Sequence, residues 1–207
     1  MSAIRKTAHL FKSKTNDPQG YYWFKSGLSH SDVDKVISYC QGLKTKKAST
    51  LRDSEGGDIR RSKITWIPKT DDNWWLYEAL INMADEANEQ LWNFDLYEAV
   101  EDIQYTEYHA SENGHYDWHQ DLGIGNLPSR RKVSITIQLS ESDEYEGGEL
   151  LICTGSNGNG ELDNNIVCPR GKGVGVLFPS YMMHRVSPVT KGVRKSLVLW
   201  VGGEHFR

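Results

Sequence analysis

The second half of the chain consists of short apolar or alternating segments separated by clusters of glycine, proline, asparagine and aspartate. Segments of this length between turn residues predict β-strands. The predicted strands cover residues 103–108, 132–139, 149–153, 166–168, 173–178 and 196–201. Because helical patterns come first and closely spaced strands follow, we expect a double-sheet barrel or jelly roll with helices packed on one outer face.

The first half of the chain carries the helical signals. Ser29 or Ser31 is placed to cap a helix whose apolar residues recur at helical spacing and which ends at Gly42. A longer helix is predicted over residues 74–92, after the polar run 71–73 that is typical of a helix start. Two further strands are predicted at residues 21–25 and 63–67. The predicted fold class is therefore α+β and predominantly β.

The length and aromatic content favour a single packed domain. A chain of 207 residues is long enough to bury a substantial core. Seven Trp, ten Tyr and five Phe supply large packing units and argue against extended disorder. We predict a polar lead-in over residues 1–19 and one domain over 20–207, with helical support in 28–95 and the jelly roll in about 100–203.

Charge and cysteine content limit the partners and the compartment. A formal net charge of −4 disfavours broad binding to the phosphates of nucleic acid. The sequence shows no apolar segment typical of a secretory signal or a membrane span, so we expect a cytoplasmic protein without a membrane partner. The three cysteines have no metal-binding spacing and are interpreted as reduced thiols, although a disulfide between Cys153 and Cys168 stays open.

Two distant segments contain residues that could share one metal ion. His119 and Asp121 are two positions apart, so in an extended segment their side chains point to the same side. His184 begins a later predicted strand that the fold could bring opposite them. Two imidazoles and one carboxylate form the facial triad that binds non-haem Fe(II) and leaves coordination positions open. Nearby His115 is interpreted as a supporting or surface residue, because its spacing from His119 would suit two ligands only on a helix.

Arg194 follows the second segment and points toward an anion-binding role. Alternation predicts that it shares one strand face with three residues, Ser196, Val198 and Trp200. A guanidinium inside a barrel needs an anion, and it binds a carboxylate through paired hydrogen bonds. The strand at 132–139 contributes a polar inner face and an apolar outer face. Its inner face consists of Ser134, Thr136 and Gln138. A surface salt bridge is the alternative role for Arg194.

The spaced motifs resemble the Fe(II)- and 2-oxoglutarate-dependent prolyl 4-hydroxylase family, especially its bacterial and phage PKHD-type members. The resemblance covers residues 20–203 and is strongest over 103–201. It implies a double-stranded β-helix (jelly-roll, cupin-like) core. The motifs that carry it are Tyr108, the H-Y-x-x-H-x-D run ending at Asp121, the E-G-G-E-L turn at 146–150, and the F-P-S…H-x-V-x-P-V-T-x-G-x-R…W series from Phe178 to Trp200.

By position, the resemblance assigns roles to seven residues. His119, Asp121 and His184 match the iron ligands of the family. Arg194 matches the residue that pairs with the C5 carboxylate of 2-oxoglutarate. Three positions match residues around the cosubstrate or substrate, namely Tyr108, Gln138 and Trp200. Gln138 departs from the family pattern, because some relatives have a tyrosine there.

The resemblance also implies the reaction. It predicts a dioxygenase that uses Fe(II), 2-oxoglutarate and O2, with ascorbate as reductant, to hydroxylate a prolyl residue in a peptide or protein and release succinate and CO2. A hydroxylase of a free amino acid or other small molecule is the second hypothesis. A metal-binding jelly-roll sensor without turnover is the non-enzyme alternative. The segment 44–62 is interpreted either as a lid over the substrate or as a solvated loop.

Overall fold

In the part of the chain that the structure describes, the strands pair into two antiparallel sheets. The computed structural model describes residues 20–44, 46–48, 58–156 and 162–205. In chain order the strands are β1 (Tyr22–Phe24), β2 (Lys46–Lys47), β3 (Arg60–Arg61), β4 (Lys63–Ile67), β5 (Glu98–Ala99), β6 (Ile103–His109), β7 (His115–His119), β8 (Arg131–Gln138), β9 (Tyr145–Gly147), β10 (Leu150–Ser156), β11 (Leu162–Val167), β12 (Gly175–Pro179), β13 (His184–Val186) and β14 (Val189–Gly202).

The two sheets differ in size. The larger has the order β1-β12-β8-β14-β6-β4-β2, with β5 and β9 also paired to β14. The smaller has the order β11-β10-β13-β7-β3. A buried apolar cluster lies between the two sheets. Its side chains include Tyr108 from the larger sheet and Ile152 from the smaller. The predicted jelly roll is therefore confirmed, and its interior is the space between the two sheets.

Two helices cover the outer face of the larger sheet, as predicted. They are α1 (His30–Gln41) and α2 (Trp74–Ala87). Ser29, one of the two predicted caps, accepts a hydrogen bond from the Asp32 backbone N–H at 3.1 Å, and Gly42 follows the last turn. Apolar residues of both helices pack against the odd-numbered residues of β8, which the sequence predicted to face outward. Among the described residues, no helix is long and apolar enough to cross a membrane.

The predicted helix over residues 74–92 is not regular throughout. The α-helix ends at Ala87, and Asn88–Trp92 continue as a single π-helical segment. Asn93 then adopts a left-handed conformation with φ of 52°, which a side-chain amide tolerates better than an apolar side chain does. The side chain of Asn88 bonds both backbone groups of Phe94, so the chain is redirected by two polar residues rather than by glycine.

Several strands were not predicted because their sequences lack apolar alternation. β7 reads His-Tyr-Asp-Trp-His, and only its first residue is fully buried. β2, β3, β5 and β9 contain two or three residues each, too few to show a period, whereas β13 is the strand predicted to begin at His184. The lead-in at 1–19 and most of the glycine-rich loop after β10 lie outside the described residues. The same applies to residues 45 and 49–57 of the predicted lid.

A substitution at Leu80 tests how much the packing of the helices against the larger sheet contributes to stability. Its side chain is fully buried in that core. We expect Leu80→Ala to lower the free energy of unfolding by about 2–5 kcal/mol, because it removes apolar contacts and leaves a cavity. Urea denaturation would measure the loss. The exposed Glu78→Ala on the same helix should change stability by less than about 0.5 kcal/mol. Equal losses for the two variants would contradict this account of the packing.

Candidate active site

Three side chains that could bind a metal converge at one end of the space between the sheets. β13 pairs with β7 so that His184 lies directly opposite His119. Asp121 follows β7 by two residues, and its carboxylate oxygens lie 3.7 Å from His119 Nε2 and 3.5 Å from His184 Nε2. All the potential ligand atoms lie within 4.8 Å of one another. The strand register therefore brings together the three residues that the sequence singled out.

The two imidazoles are oriented by backbone carbonyl groups. His119 Nδ1 lies 2.7 Å from the Asp117 carbonyl oxygen, and His184 Nδ1 lies 2.9 Å from that of Met182. A carbonyl only accepts, so each Nδ1 carries the proton and donates it. Each Nε2 then presents a lone pair toward the centre of the cluster. This arrangement is typical of histidines that bind a metal through Nε2.

The Asp121 carboxylate is fixed from the larger sheet. Ser134 of β8 donates a hydrogen bond to Asp121 Oδ2 at 2.6 Å, and Ser180 Oγ lies 2.9 Å from Ser134 Oγ. The two imidazoles and the Ser134 hydroxyl outweigh the effect of burial and hold the Asp121 pKa at about 2. Trp200 also lowers this pKa, although its buried Nε1 has no partner of normal hydrogen-bond geometry among the described residues. Asp121 is therefore an anion at neutral pH.

The pKa of His119 makes the stability of the metal-free protein sensitive to acid. Burial, with help from neighbouring His184, lowers this pKa from 6.5 to about 3 despite the nearby Asp121. Between these two values the unfolded chain binds a proton that the folded chain does not, so stability falls as the pH decreases from 6.5 toward 3. The loss approaches about 1.4 kcal/mol per pH unit. We expect His119→Gln to lose less stability between pH 7 and pH 5 in urea denaturation; equal losses would contradict the assignment.

Arg194 lies in the same interior and has no anionic partner among the described residues. Its side chain is 1% exposed. Its guanidinium donates to Gln138 Oε1 at 3.0 Å and to Ser196 Oγ at 3.2 Å, and it lies 5.4 Å from the centre of the Tyr108 ring. Its Nε has no hydrogen-bond partner in the part of the chain that the structure describes. A buried cation with only neutral neighbours is costly, so the arrangement fits an anion that arrives with a ligand.

Gly148 leaves room for the Arg194 side chain, a role that the sequence did not indicate. A Cβ at this position would lie 3.1 Å from Arg194 Cδ and 2.9 Å from Val189 Cγ2. The backbone of Gly148 also has a positive φ of 63°, which favours glycine. The E-G-G-E-L turn is therefore needed for the position of Arg194, and not only for joining two strands.

One pocket of about 420 Å³ connects the metal cluster with Arg194. Both sheets contribute to its wall. Of the seven residues predicted to form the site, the six that line it are His119, Asp121, His184, Arg194, Tyr108 and Trp200. Gln138 is not part of the wall; it lies behind Arg194 and accepts its hydrogen bond. The structure therefore gives Gln138 a contact with the guanidinium rather than a direct place in the pocket.

The sequence did not indicate the residues that brace this pocket. Arg131 forms two 2.7 Å hydrogen bonds with the Glu101 carboxylate and a 3.0 Å bond with the Asp121 carbonyl oxygen. Its guanidinium also lies 3.9 Å from the Trp200 ring. On the other side, the Tyr116 ring stacks on His119 with 3.4 Å between ring centres. No sequence pattern links Glu101 with Arg131, because the contact depends on strand order.

His115 does not join the metal cluster. Its Nδ1 lies 2.7 Å from the Asn113 carbonyl oxygen and its Nε2 lies 3.1 Å from that of Asp58. The side chain is buried and faces a small cavity on the opposite side of β7. This position is consistent with the supporting role inferred from its spacing.

The residues present fit an iron ion and a carboxylate cosubstrate. Two neutral imidazoles and one carboxylate are the donor set of the 2-His-1-carboxylate facial triad. The buried guanidinium of Arg194 lies in the same pocket without an anionic partner among the described residues, and it fits the far carboxylate of 2-oxoglutarate. These fits support the assigned roles, which remain proposals.

Comparisons of sequence place this site in a known family. Residues 103–202 match the family model of the 2OG-Fe(II) oxygenase superfamily. A PKHD-type hydroxylase of Alteromonas mediterranea is 35% identical over 96 residues, which cover 44% of this chain and 39% of that protein. One from Parvibaculum lavamentivorans is 41% identical over 98 residues, with coverages of 44% and 39%. The matches thus span about two fifths of the length of these relatives.

Comparisons of structure extend over nearly the whole chain and show the fold. A prolyl-4-hydroxylase of Pseudomonas putida has a TM-score of 0.64 and 22% identity, covering 89% of this chain and 93% of its own. The prolyl hydroxylase of Trichoplax adhaerens has a TM-score of 0.68 and 19% identity, with coverages of 98% and 94%. The family match over residues 103–202, the shared fold and the His-Asp-His cluster together support a 2OG-Fe(II) oxygenase that is similar to prolyl hydroxylases.

Proposed function

We propose that this protein hydroxylates a prolyl residue in a peptide or protein, using Fe(II), 2-oxoglutarate and O2 and releasing succinate and CO2. Ascorbate serves as the reductant that keeps the iron in its ferrous state. The observation that carries the proposal is the buried Arg194, which lacks an anion among the described residues and shares one pocket with the His-Asp-His cluster. A sensor that only binds a metal has no use for a second, buried cation.

The residues of the pocket have separate roles in binding iron and binding the cosubstrate. His119, Asp121 and His184 would hold the iron, which supplies the oxygen chemistry that protein side chains lack. Arg194 would bind the far carboxylate of 2-oxoglutarate through paired hydrogen bonds. The rings of Trp66 and Trp200, with centres 6.4 Å apart, both line the pocket and give its wall apolar surface.

The choice of a prolyl peptide rests on the family and its relatives. The curated relatives are named PKHD-type hydroxylases, and the structure of the Trichoplax adhaerens enzyme is described in complex with a peptide fragment. Trp66 lines the pocket and is 36% exposed, so this part of the wall is accessible to a peptide from solvent. The cytoplasmic location inferred from the sequence stays a prediction.

A coupled turnover assay tests the proposal. The protein is reconstituted with Fe(II), ascorbate and 2-oxoglutarate, and succinate is measured with a proline-rich peptide, with the same peptide carrying alanine for proline, and with free proline. We expect succinate together with a mass increase of one oxygen atom in the proline-rich peptide alone. Turnover of free proline without peptide oxidation would favour a small-molecule hydroxylase. Metal-loaded protein that forms no succinate with any of the three would contradict the enzymatic proposal.

A further inference from the structure

A second arginine, Arg60, lines the pocket from the smaller sheet, whereas Arg194 belongs to the larger one. Arg60 lies on β3, the edge strand of the smaller sheet, and its Cα pairs with that of Tyr116 on β7. Its guanidinium lies 4.6 Å from the centre of the Tyr116 ring, and that ring stacks on His119. One aromatic ring therefore separates the positive charge of Arg60 from a side chain of the metal cluster.

Arg60 has only neutral hydrogen-bond partners among the described residues. It donates to Ser62 Oγ at 2.8 Å and, across the gap between the sheets, to Gln104 Oε1 at 2.6 Å. The two neighbouring cations differ in this respect. Arg61 pairs with Asp58 at 2.7 Å, and Lys63 pairs with Glu112 at 2.8 Å. The remaining N–H groups of Arg60 have no anionic acceptor among the described residues, and two side-chain hydrogen bonds fix their position in the pocket wall.

The charges of the loaded pocket leave Arg60 unbalanced. Arg131, the third arginine of the wall, is neutralised by Glu101. A divalent iron ion with Asp121, together with the dianion 2-oxoglutarate and Arg194, carries no net charge. Arg60 then contributes one positive charge for which iron and cosubstrate supply no counter-ion. In a partly buried pocket such a charge favours a ligand that brings an anionic group.

We propose that Arg60 is a substrate-binding residue that holds a carboxylate adjacent to the prolyl ring being hydroxylated, an inference that rests on the proposed function. The flat rings of Tyr116, Trp66 and Trp200 line the same pocket as Arg60 and the metal cluster and suit an apolar ring. The carboxylate belongs either to an acidic residue beside the proline or to the proline itself at a C-terminus. In both cases the substrate carries a negative charge next to the prolyl ring, where it can contact Arg60.

Matched pairs of peptides distinguish these two sources. Acetyl-Ala-Pro-Asp amide is compared with acetyl-Ala-Pro-Asn amide, and acetyl-Ala-Pro with its C-terminal amide. Binding is followed by tryptophan fluorescence, with Mn(II) in place of iron and with 2-oxoglutarate saturating, so that Arg194 is occupied and no turnover occurs. We expect the acidic member of at least one pair to bind about tenfold more tightly than its amide, as a charge-assisted hydrogen bond at a partly exposed site allows.

Variants test whether Arg60 causes the preference for acidic peptides. Arg60→Gln should abolish the preference for the acidic peptide and leave the affinity for 2-oxoglutarate unchanged, while Arg60→Lys should keep part of the preference. Arg61→Gln, the control on the same strand, should behave as the wild type. Thermal unfolding of each variant shows whether the fold is intact. A preference that survives in Arg60→Gln would overturn the inference, as would equal binding of acid and amide or no saturable binding of any of the four peptides.

Succinate assays with the same peptides and Fe(II) separate this inference from the proposed function. Hydroxylation of acidic and neutral peptides with equal efficiency would support the proposed function and overturn the role of Arg60. Selective binding of the acidic peptides without any succinate would support the carboxylate site at Arg60 and count against the proposed reaction. The two proposals therefore fail on different measurements.

Discussion

Asp121→Ala is expected to remove metal binding and turnover together. Asp121 supplies the only carboxylate of the described metal cluster, and its negative charge lies within 4 Å of both imidazoles. Without it, two neutral nitrogen atoms remain, and a hard divalent cation loses its anionic ligand. Changes to residues that only support metal ligands already cost about 10- to 100-fold in affinity, so the loss of a ligand should exceed a hundredfold.

Calorimetric titration with Mn(II) would measure the loss of affinity, and succinate formation with Fe(II) would measure the loss of activity. Asp117→Ala is the matched control. Asp117 lies four positions earlier, its side chain is exposed, and only its backbone carbonyl contacts His119. We expect this control to bind Mn(II) like the wild type. If Asp121→Ala also bound Mn(II) with wild-type affinity, the metal would have to lie elsewhere in the protein.

Strands β8 and β14 of the larger sheet were predictable from the sequence because one face of each packs against the helices and the other faces the pocket. In β8, Ile135 and Ile137 are fully buried against the helices, while Thr136 lines the pocket. Such a strand shows alternation in its sequence, and so does the segment of β14 that carries Arg194. Alternation in the sequence therefore predicts which face of these strands points inward, and with it the residues that could reach a ligand.

The remaining parts of the site depend on contacts that no local pattern records. β7 carries His119, yet it reads as a polar loop because its pocket-facing side chains are a tyrosine and a histidine. Arg60 reaches the pocket only because a short edge strand pairs with β7. The ion pair of Arg131 with Glu101 joins residues 30 positions apart. These contacts follow from the order of strands in the sheets, which the spacing of apolar residues does not specify.

Arg194→Met should have opposite effects on the empty and the loaded protein. In the empty protein the substitution removes a buried charge that has no anionic partner among the described residues, so we expect the free energy of unfolding to stay the same or to rise. In the loaded protein it removes the binding partner of the cosubstrate carboxylate. Loss of one partner of a buried charge pair costs about 2–5 kcal/mol, so the dissociation constant of 2-oxoglutarate should increase by about thirtyfold or more.

Thermal unfolding with Mn(II), in the presence and absence of 2-oxoglutarate, measures both effects, because a ligand that binds only the folded state raises the unfolding midpoint. The wild type should show a large shift, Arg194→Met almost none, and Arg194→Lys an intermediate one, since an ammonium group cannot form the paired bonds. Lys191→Met is the control, because Lys191 lies exposed on the same strand and pairs with Glu146. A shift of wild-type size in Arg194→Met would contradict the cosubstrate role. A large loss of stability in the empty variant would show instead that Arg194 is a structural residue, whose bonds to Gln138 and Ser196 outweigh the cost of its buried charge.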